Sequence, residues 1–290
     1  MAVRALGARC LFRLASVQPR CAPPLALTRP GAGAVGTARG IVSAESMGTV
    51  VQVGKQQHWT AFMYGRERQL LVHVVGSAQE GDVESVLDAM DSFWAHQFGM
   101  KGTDTWTMRK DMLDGLLGKK APRCCLELGT YCGYSALRIA RNLPEDGLLV
   151  SIEVDPLFGA IATKIVEYAG LGHKVKILTG TAESKIERIC QLLAKRPGGT
   201  SERFDFVLCD HSKERFVPDL EILERAGLAG PGTVVMGDTT HYPGEEETAE
   251  DGAGQNLLSY VAASRKFRVQ QHVSTEQTSG ITVCEWQYVV

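Results

Sequence analysis

Residues 123–142 read RCCLELGTYCGYSALRIARN, and this stretch decides the fold. Arg123–Leu128 is a short run dominated by apolar side chains, too brief for a helix and closed by Gly129, as a buried strand would be. Glycines at 129 and 133 then allow a tight turn, and the amphipathic segment 134–143 follows. The strand–turn–helix rhythm recurs downstream. Strand candidates are LLVSIEV (148–154), KVKILT (174–179), FDFVLCD (204–210) and GTVVMGD (232–238), with helix candidates at 156–169, 182–195 and 214–228. Such alternation predicts a mostly parallel sheet covered by helices on both faces. A last helix near 254–265 precedes FRVQQHVS (267–274) and ITVCEWQYVV (281–290), which read as a terminal antiparallel pair.

Working upstream, RERQLLVHVV (66–75), VESVLDAMDSFWAHQF (83–98) and TWTMRKDMLDGLL (105–117) carry apolar residues at spacings of three and four, the stripe of a core-facing helix. Asp82 is placed to cap the second. Met90, Phe93, Trp94, Met108 and Met112 on these helices read as core. The expectation is one three-layer α/β domain over residues 45–290, with N-terminal helices at 63–118 and the core at 123–290.

The 290 residues carry 31 Lys+Arg against 33 Asp+Glu, a net charge of −2. That balance excludes a general nucleic-acid binder, whose phosphate affinity comes from basic excess. The average conceals two unlike pieces. Residues 1–44 hold six arginines, no lysine and no acid, so the remainder has 25 basic residues against 33 acidic ones, near −8. An Arg-rich, acid-free leader in which Arg9 and Arg13 share one helical face, opposite Val3, Leu11 and Leu14, has the composition of an organelle transit peptide, mitochondrial before plastid. The other reading is a basic tail on a cytoplasmic protein. Its apolar runs are too short to span a bilayer. The eight cysteines show neither C-x-x-C nor zinc-ligand spacing, and four sit in the strand runs, as reduced core residues do.

In open α/β sheets ligands bind outside the carboxyl ends of the strands. Those ends carry Glu127 with Gly129, Glu153, Gly180, Asp210 and Asp238. The G-x-x-x-G of the first turn is not the G-x-G-x-x-G that seats a pyrophosphate, and Glu127 would repel one. A nucleoside bearing an ammonium and a sulfonium suits the turn better, with Glu153 on the ribose hydroxyls. Asp210 and Asp238, from neighbouring strand ends, can converge on one hard cation such as Mg²⁺. Lys213, three residues past Asp210, is a general-base candidate. Taken singly, each of these residues reads equally as a loop cap or a solvated side chain.

Together they resemble the catechol O-methyltransferases. ELGTYCGYSALRIARNLP, SIEVDP, DHSKERFVPD and GTVVMGDTTHYPG match that family in order and spacing, as does GDVESVLDAMD upstream, so the resemblance spans about residues 63–290. It implies a Rossmann-like methyltransferase that transfers a methyl group from S-adenosylmethionine, assisted by Mg²⁺, to one hydroxyl of a catechol or related vicinal diphenol. By position, Asp210 and Asp238 match the family's Mg²⁺ ligands and Lys213 its base. Glu127, Gly129, Tyr131, Tyr134, Ser135, Glu153, Asp210 and His211 match the cofactor surroundings, His211 at the adenine edge. The departures fall on the acceptor side. Thr239 replaces the metal-binding asparagine and Ser212 a tryptophan; Phe98 stands for a gate tryptophan. Ala182, followed by Glu183, replaces an adenine-side serine. Pro243 is kept but leads into the acidic run EEETAED, and Glu276 is the candidate for the glutamate facing the second hydroxyl.

A monomer acting on a small molecule is expected. Two other readings are a catalytically weak scaffold or partner-binding protein that still binds S-adenosylmethionine, motivated by Thr239 and Ser212, and a nucleotide-dependent dehydrogenase, disfavoured by the missing G-x-G-x-x-G.

Overall fold

A computed structural model describes residues 60–98, 104–195, 203–238, 257–274 and 280–288, all within one compact unit, Gly48–Val290. Seven strands form a single sheet: β1 (Cys124–Leu128), β2 (Leu148–Glu153), β3 (Val175–Thr179), β4 (Phe206–Cys209), β5 (Val234–Asp238), β6 (Phe267–Ser274) and β7 (Gly280–Trp286). Their order is β3-β2-β1-β4-β5-β7-β6. The first five pair in parallel, and β7 runs antiparallel between β5 and β6. The Rossmann-like architecture with a terminal antiparallel pair is therefore as expected.

The helices are α1 (Thr60–Ser77), α2 (Val83–Phe98), α3 (Asp104–Lys120), α4 (Tyr134–Asn142), α5 (Pro156–Tyr168), α6 (Ala182–Ala194), α7 (Phe216–Arg225) and α8 (Leu257–Ala263). The two-residue period of the strands decides which helix covers which face. Cys125, Leu149, Phe206, Leu208 and Val234 face one core with α1 to α5. Cys124, Leu126, Val150, Val207 and Val235 face the other, with α6, α7 and α8. Met90 and Phe93 are buried in the first core, and Trp94, Met108 and Met112 pack against it. Trp286 is buried in the second, with Cys124, Cys209 and Cys284, while Cys125 is buried in the first.

Local chemistry sets the helix starts. Asp82 Oδ1 accepts from the backbone N–H of Glu84 and Ser85 at 3.0 and 3.2 Å, the expected cap of α2. Asp155 caps α5, with Pro156 at its first position. The segment expected as one helix over 214–228 divides instead into a 3-10 turn, Lys213–Arg215, and α7. Pro218 falls in the first turn of α7, where its missing N–H leaves no helical bond unmade. Past Arg225 the chain turns through Gly227 at φ 72°.

Strand order reverses between β1 and β4, so the turns leaving these two strands diverge and open a crevice between them. That crevice receives the ends of β1, β2, β4 and β5, and with them Glu127, Glu153, Asp210 and Asp238.

Candidate active site

Glu127 is the fourth residue of β1 rather than part of the turn, and it is fully buried. It pairs in register with Ser151 of β2, whose Oγ donates to Glu127 Oε2 and also bonds Thr130 Oγ1. Oε1 of the same carboxyl has no hydrogen-bond partner among the described residues. Burial pushes this acid up to about 8. Hydrogen bonding from Ser135 and Ser151 opposes the shift, and the charges of Asp210 and Glu153 add to it. A buried carboxyl with an orphaned oxygen can ionise when a ligand brings a cation to it.

The turn after β1 is built so that backbone lies against backbone. Gly129 has φ 94°, and a Cβ there would lie 2.3 Å from the carbonyl oxygen of Asp210. Only glycine fits, because the two turns meet at that point. Tyr131 adopts φ 47°, uncommon for a residue with a side chain. Its N–H donates to Glu153 Oε2 at 2.7 Å and its hydroxyl to Glu67 Oε1 at 2.5 Å. The ring stacks on Trp94 and meets Phe158 edge-on. Trp94, read from sequence as core, thus also faces the loop. Glu153, at the end of β2, also accepts from the Asp155 N–H at 2.9 Å. Each of its oxygens keeps a lone pair, so it can fix the loop and still accept two ribose hydroxyls.

At the other side of the crevice, β4 and β5 deliver Asp210 and Asp238. One guanidinium joins them. Arg109 of α3 reaches Asp210 Oδ2 with Nη2 at 3.3 Å and bonds Asp238 Oδ2 with Nε. The Arg109 side chain is 12% exposed and that of Asp238 3%. The two carboxylates therefore converge on one cation, as the strand order implies, and the donor set of two carboxylate oxygens suits a hard divalent ion. Among the described residues no cluster of three or more His, Cys, Asp or Glu is arranged to hold a metal. Lys213 opens the 3-10 turn three residues past Asp210, half-buried. His211 stacks on Phe216, and its Nε2 lies 3.0 Å from Asp219 Oδ2. Its Nδ1 is buried with no partner among the described residues. Burial works against the charge of Asp219, but hydrogen bonds and the nearby charges of His211 and Arg215 outweigh it and lower its pKa.

The structure thus brings Glu127, Gly129, Tyr131, Glu153, Asp210, His211 and Asp238 to one crevice. Tyr134 and Ser135 open α4, and Ala182 and Glu183 open α6, Ala182 buried and Glu183 exposed. Phe98 is the last residue of α2, its side chain outside the described part. Thr239, Pro243 and Glu276 lie outside the described residues. Two residues escaped the sequence reading. Arg109 and Glu67 sit on N-terminal helices, 101 and 64 positions from their partners. Nothing in local spacing marks either.

Comparison with known proteins agrees with this geometry. A family model described as O-methyltransferase matches residues 86–284. A catechol O-methyltransferase of Bos taurus is 38% identical over 221 residues, covering 74% of this chain and 73% of its own. That of Mus musculus is 35% identical over 210 residues, 72% of each. A transmembrane O-methyltransferase of Homo sapiens is 32% identical over 213 residues, covering 71% of this chain and 65% of its own. In fold, the chain resembles the crystal structure of an O-methyltransferase from Bacillus cereus in complex with SAH, at a TM-score of 0.52 and 22% identity over 76% of this chain and 91% of that one. The matched segment contains all the crevice acids of the strand ends, and on these matches the chain belongs to the O-methyltransferase family and, within it, to the catechol O-methyltransferases.

Proposed function

We propose that the protein transfers the methyl group of S-adenosylmethionine to one hydroxyl of a catechol or related vicinal diphenol. The observation that carries this reading is the convergence of Asp210 and Asp238 on one guanidinium, in the crevice that the strand ends bearing Glu127 and Glu153 also enter. One end of the crevice suits a cationic nucleoside, the other a cation and an acceptor. The relatives named for catechol methylation, at 35–38% identity, support the choice of acceptor.

In this reading Glu153 accepts the ribose hydroxyls and the His211 edge borders the adenine. Gly129, Tyr131, Tyr134, Ser135, Ala182 and Glu183 complete the walls of that pocket. Glu127 offers its orphaned oxygen toward the positively charged amino-acid end of the methyl donor. Asp210 and Asp238 would hold a divalent cation, with Thr239 next to them in sequence, and such a cation would supply charge favouring the ionised acceptor oxygen. Lys213 accepts the proton of that hydroxyl. The oxygen then takes the methyl carbon as the carbon–sulfur bond breaks, leaving a neutral thioether. Phe98, Pro243 and Glu276 are assigned to the acceptor pocket. Holding donor and acceptor in line supplies much of the acceleration, by effective molarities on the order of 10⁵ M in well-oriented systems.

The test is a methyl-transfer screen over catechols, caffeoyl-type phenols and quinol precursors, with Mg²⁺ and with EDTA. Methylation of at least one vicinal diphenol is expected. Binding of S-adenosylmethionine with no transfer to any of them would sink the proposal and favour the scaffold reading. Residues 1–44 are proposed as a mitochondrial leader, tested by whether they carry a fluorescent protein to that organelle. Among the described residues no helix is long and apolar enough to cross a membrane.

A further inference from the structure

The Arg109 bridge is unexplained by the proposed chemistry. Nε and Nη2 stand on one edge of the guanidinium, so the two oxygens they bond, Asp238 Oδ2 and Asp210 Oδ2, lie on the same side of it. The position is thus defined by the same two carboxylates that a divalent cation would need. The guanidinium keeps its charge at every working pH and offers only donors, so it can neutralise the pair but cannot coordinate an oxygen as a metal does. It reaches the crevice from α3, an element outside the strand-end turns that carry the acids. Two mostly buried carboxylates carry two negative charges; with Arg109 between them the site holds one.

We propose that Arg109 is a built-in competitor for the cation site: its guanidinium holds Asp210 and Asp238 in the metal-free protein and must withdraw before a divalent ion can bind. This rests on the reading of Asp210 and Asp238 as cation ligands given above. Release of Arg109 then couples metal uptake to the α3 side of the crevice, and the affinity for the ion is set as much by this side chain as by the ligands themselves. Threonine at position 239, where the family resemblance implies an asparagine, would act in the same direction, since a hydroxyl is a weaker oxygen donor.

The experiment measures binding of Mn²⁺ to the full chain, without methyl donor or acceptor, from the loss of the free-ion paramagnetic resonance signal. Wild type, Arg109→Gln and Arg109→Lys are compared. Removing one positive charge a few ångströms from the ion should tighten binding on the order of ten- to a hundredfold in Arg109→Gln. Arg109→Lys should fall between, because an ammonium is a single point that cannot span both carboxylates. Mn²⁺ should also raise the melting temperature of Arg109→Gln more than that of wild type. Equal or weaker binding by Arg109→Gln overturns this inference alone. No uptake by any of the three at millimolar Mn²⁺ overturns it together with the cation assignment. If Arg109→Gln does not fold, the comparison passes to Arg109→Lys, where affinity no higher than wild type overturns the inference.

Discussion

Glu127 makes the strongest demand on the structure. Its carboxyl is raised from 4.5 to about 8 by burial, whereas in the unfolded chain it titrates near the ordinary value. The folded state therefore holds this proton more tightly than the unfolded state. The stability that goes with it is fully present below about pH 4.5 and is lost as pH rises through about 8. At about 1.4 kcal/mol per unit, the loss between roughly pH 5 and pH 9 approaches 4 kcal/mol, or about 2 kcal/mol if the buried site relaxes around the charge. Glu127→Gln replaces the protonated acid by a neutral group of the same shape. Unfolding by urea, followed across that range, should show the variant overtaking wild type as pH rises and ending about 2–4 kcal/mol ahead. The same variant should bind S-adenosylmethionine more weakly, because the amide cannot answer the ligand's positive charge. Wild-type and variant stabilities that fall in parallel from acid to alkaline pH would refute the reasoning, since Glu127 would then not be neutral in the folded apo protein.

Lys213→Ala should lower turnover by about 10²- to 10⁴-fold, the usual worth of a positioned base, while calorimetry finds the affinity for S-adenosylmethionine unchanged. Gly129→Ala sets a Cβ 2.3 Å from the Asp210 carbonyl oxygen at a positive φ, and should cost about 3 kcal/mol or more of stability by chemical denaturation. Asp82→Ala removes the acceptor of two N–H groups at the start of α2 and should cost about 1 kcal/mol by the same assay, with methyl transfer intact.

What was legible in the sequence was what short-range chemistry fixes. A short apolar run and the glycine that closes it define β1, and the cap at Asp82 depends on residues two and three positions away, so both could be read directly. The end of the helix after β4 could not. There the first turn is 3-10, and Gly227 stops the helix earlier than the apolar spacing suggests. Glu127 is intermediate. Its presence at the strand end was plain, but its burial depends on Ser151 standing opposite it in β2, a register that only pairing reveals.

The acceptor side shows why the remainder stayed hidden. Arg109 and Lys110 are neighbours, both cationic, on a helix whose residues advance about 100° each. Lys110 turns to Asp91 of α2 at 3.0 Å, a partly exposed ion pair between helices. Arg109, one step round, faces the crevice and spans two carboxylates delivered by two different strands. No local pattern separates these two side chains, because the difference lies in how α3 is rotated against the sheet. That rotation is set by Leu113 and Leu117, both buried in the core beneath α3, and Arg109 lies four and eight residues before them on the same face. The leucines that seat the helix thus also aim the guanidinium, and the charge balance of the crevice follows from apolar packing a turn or two away.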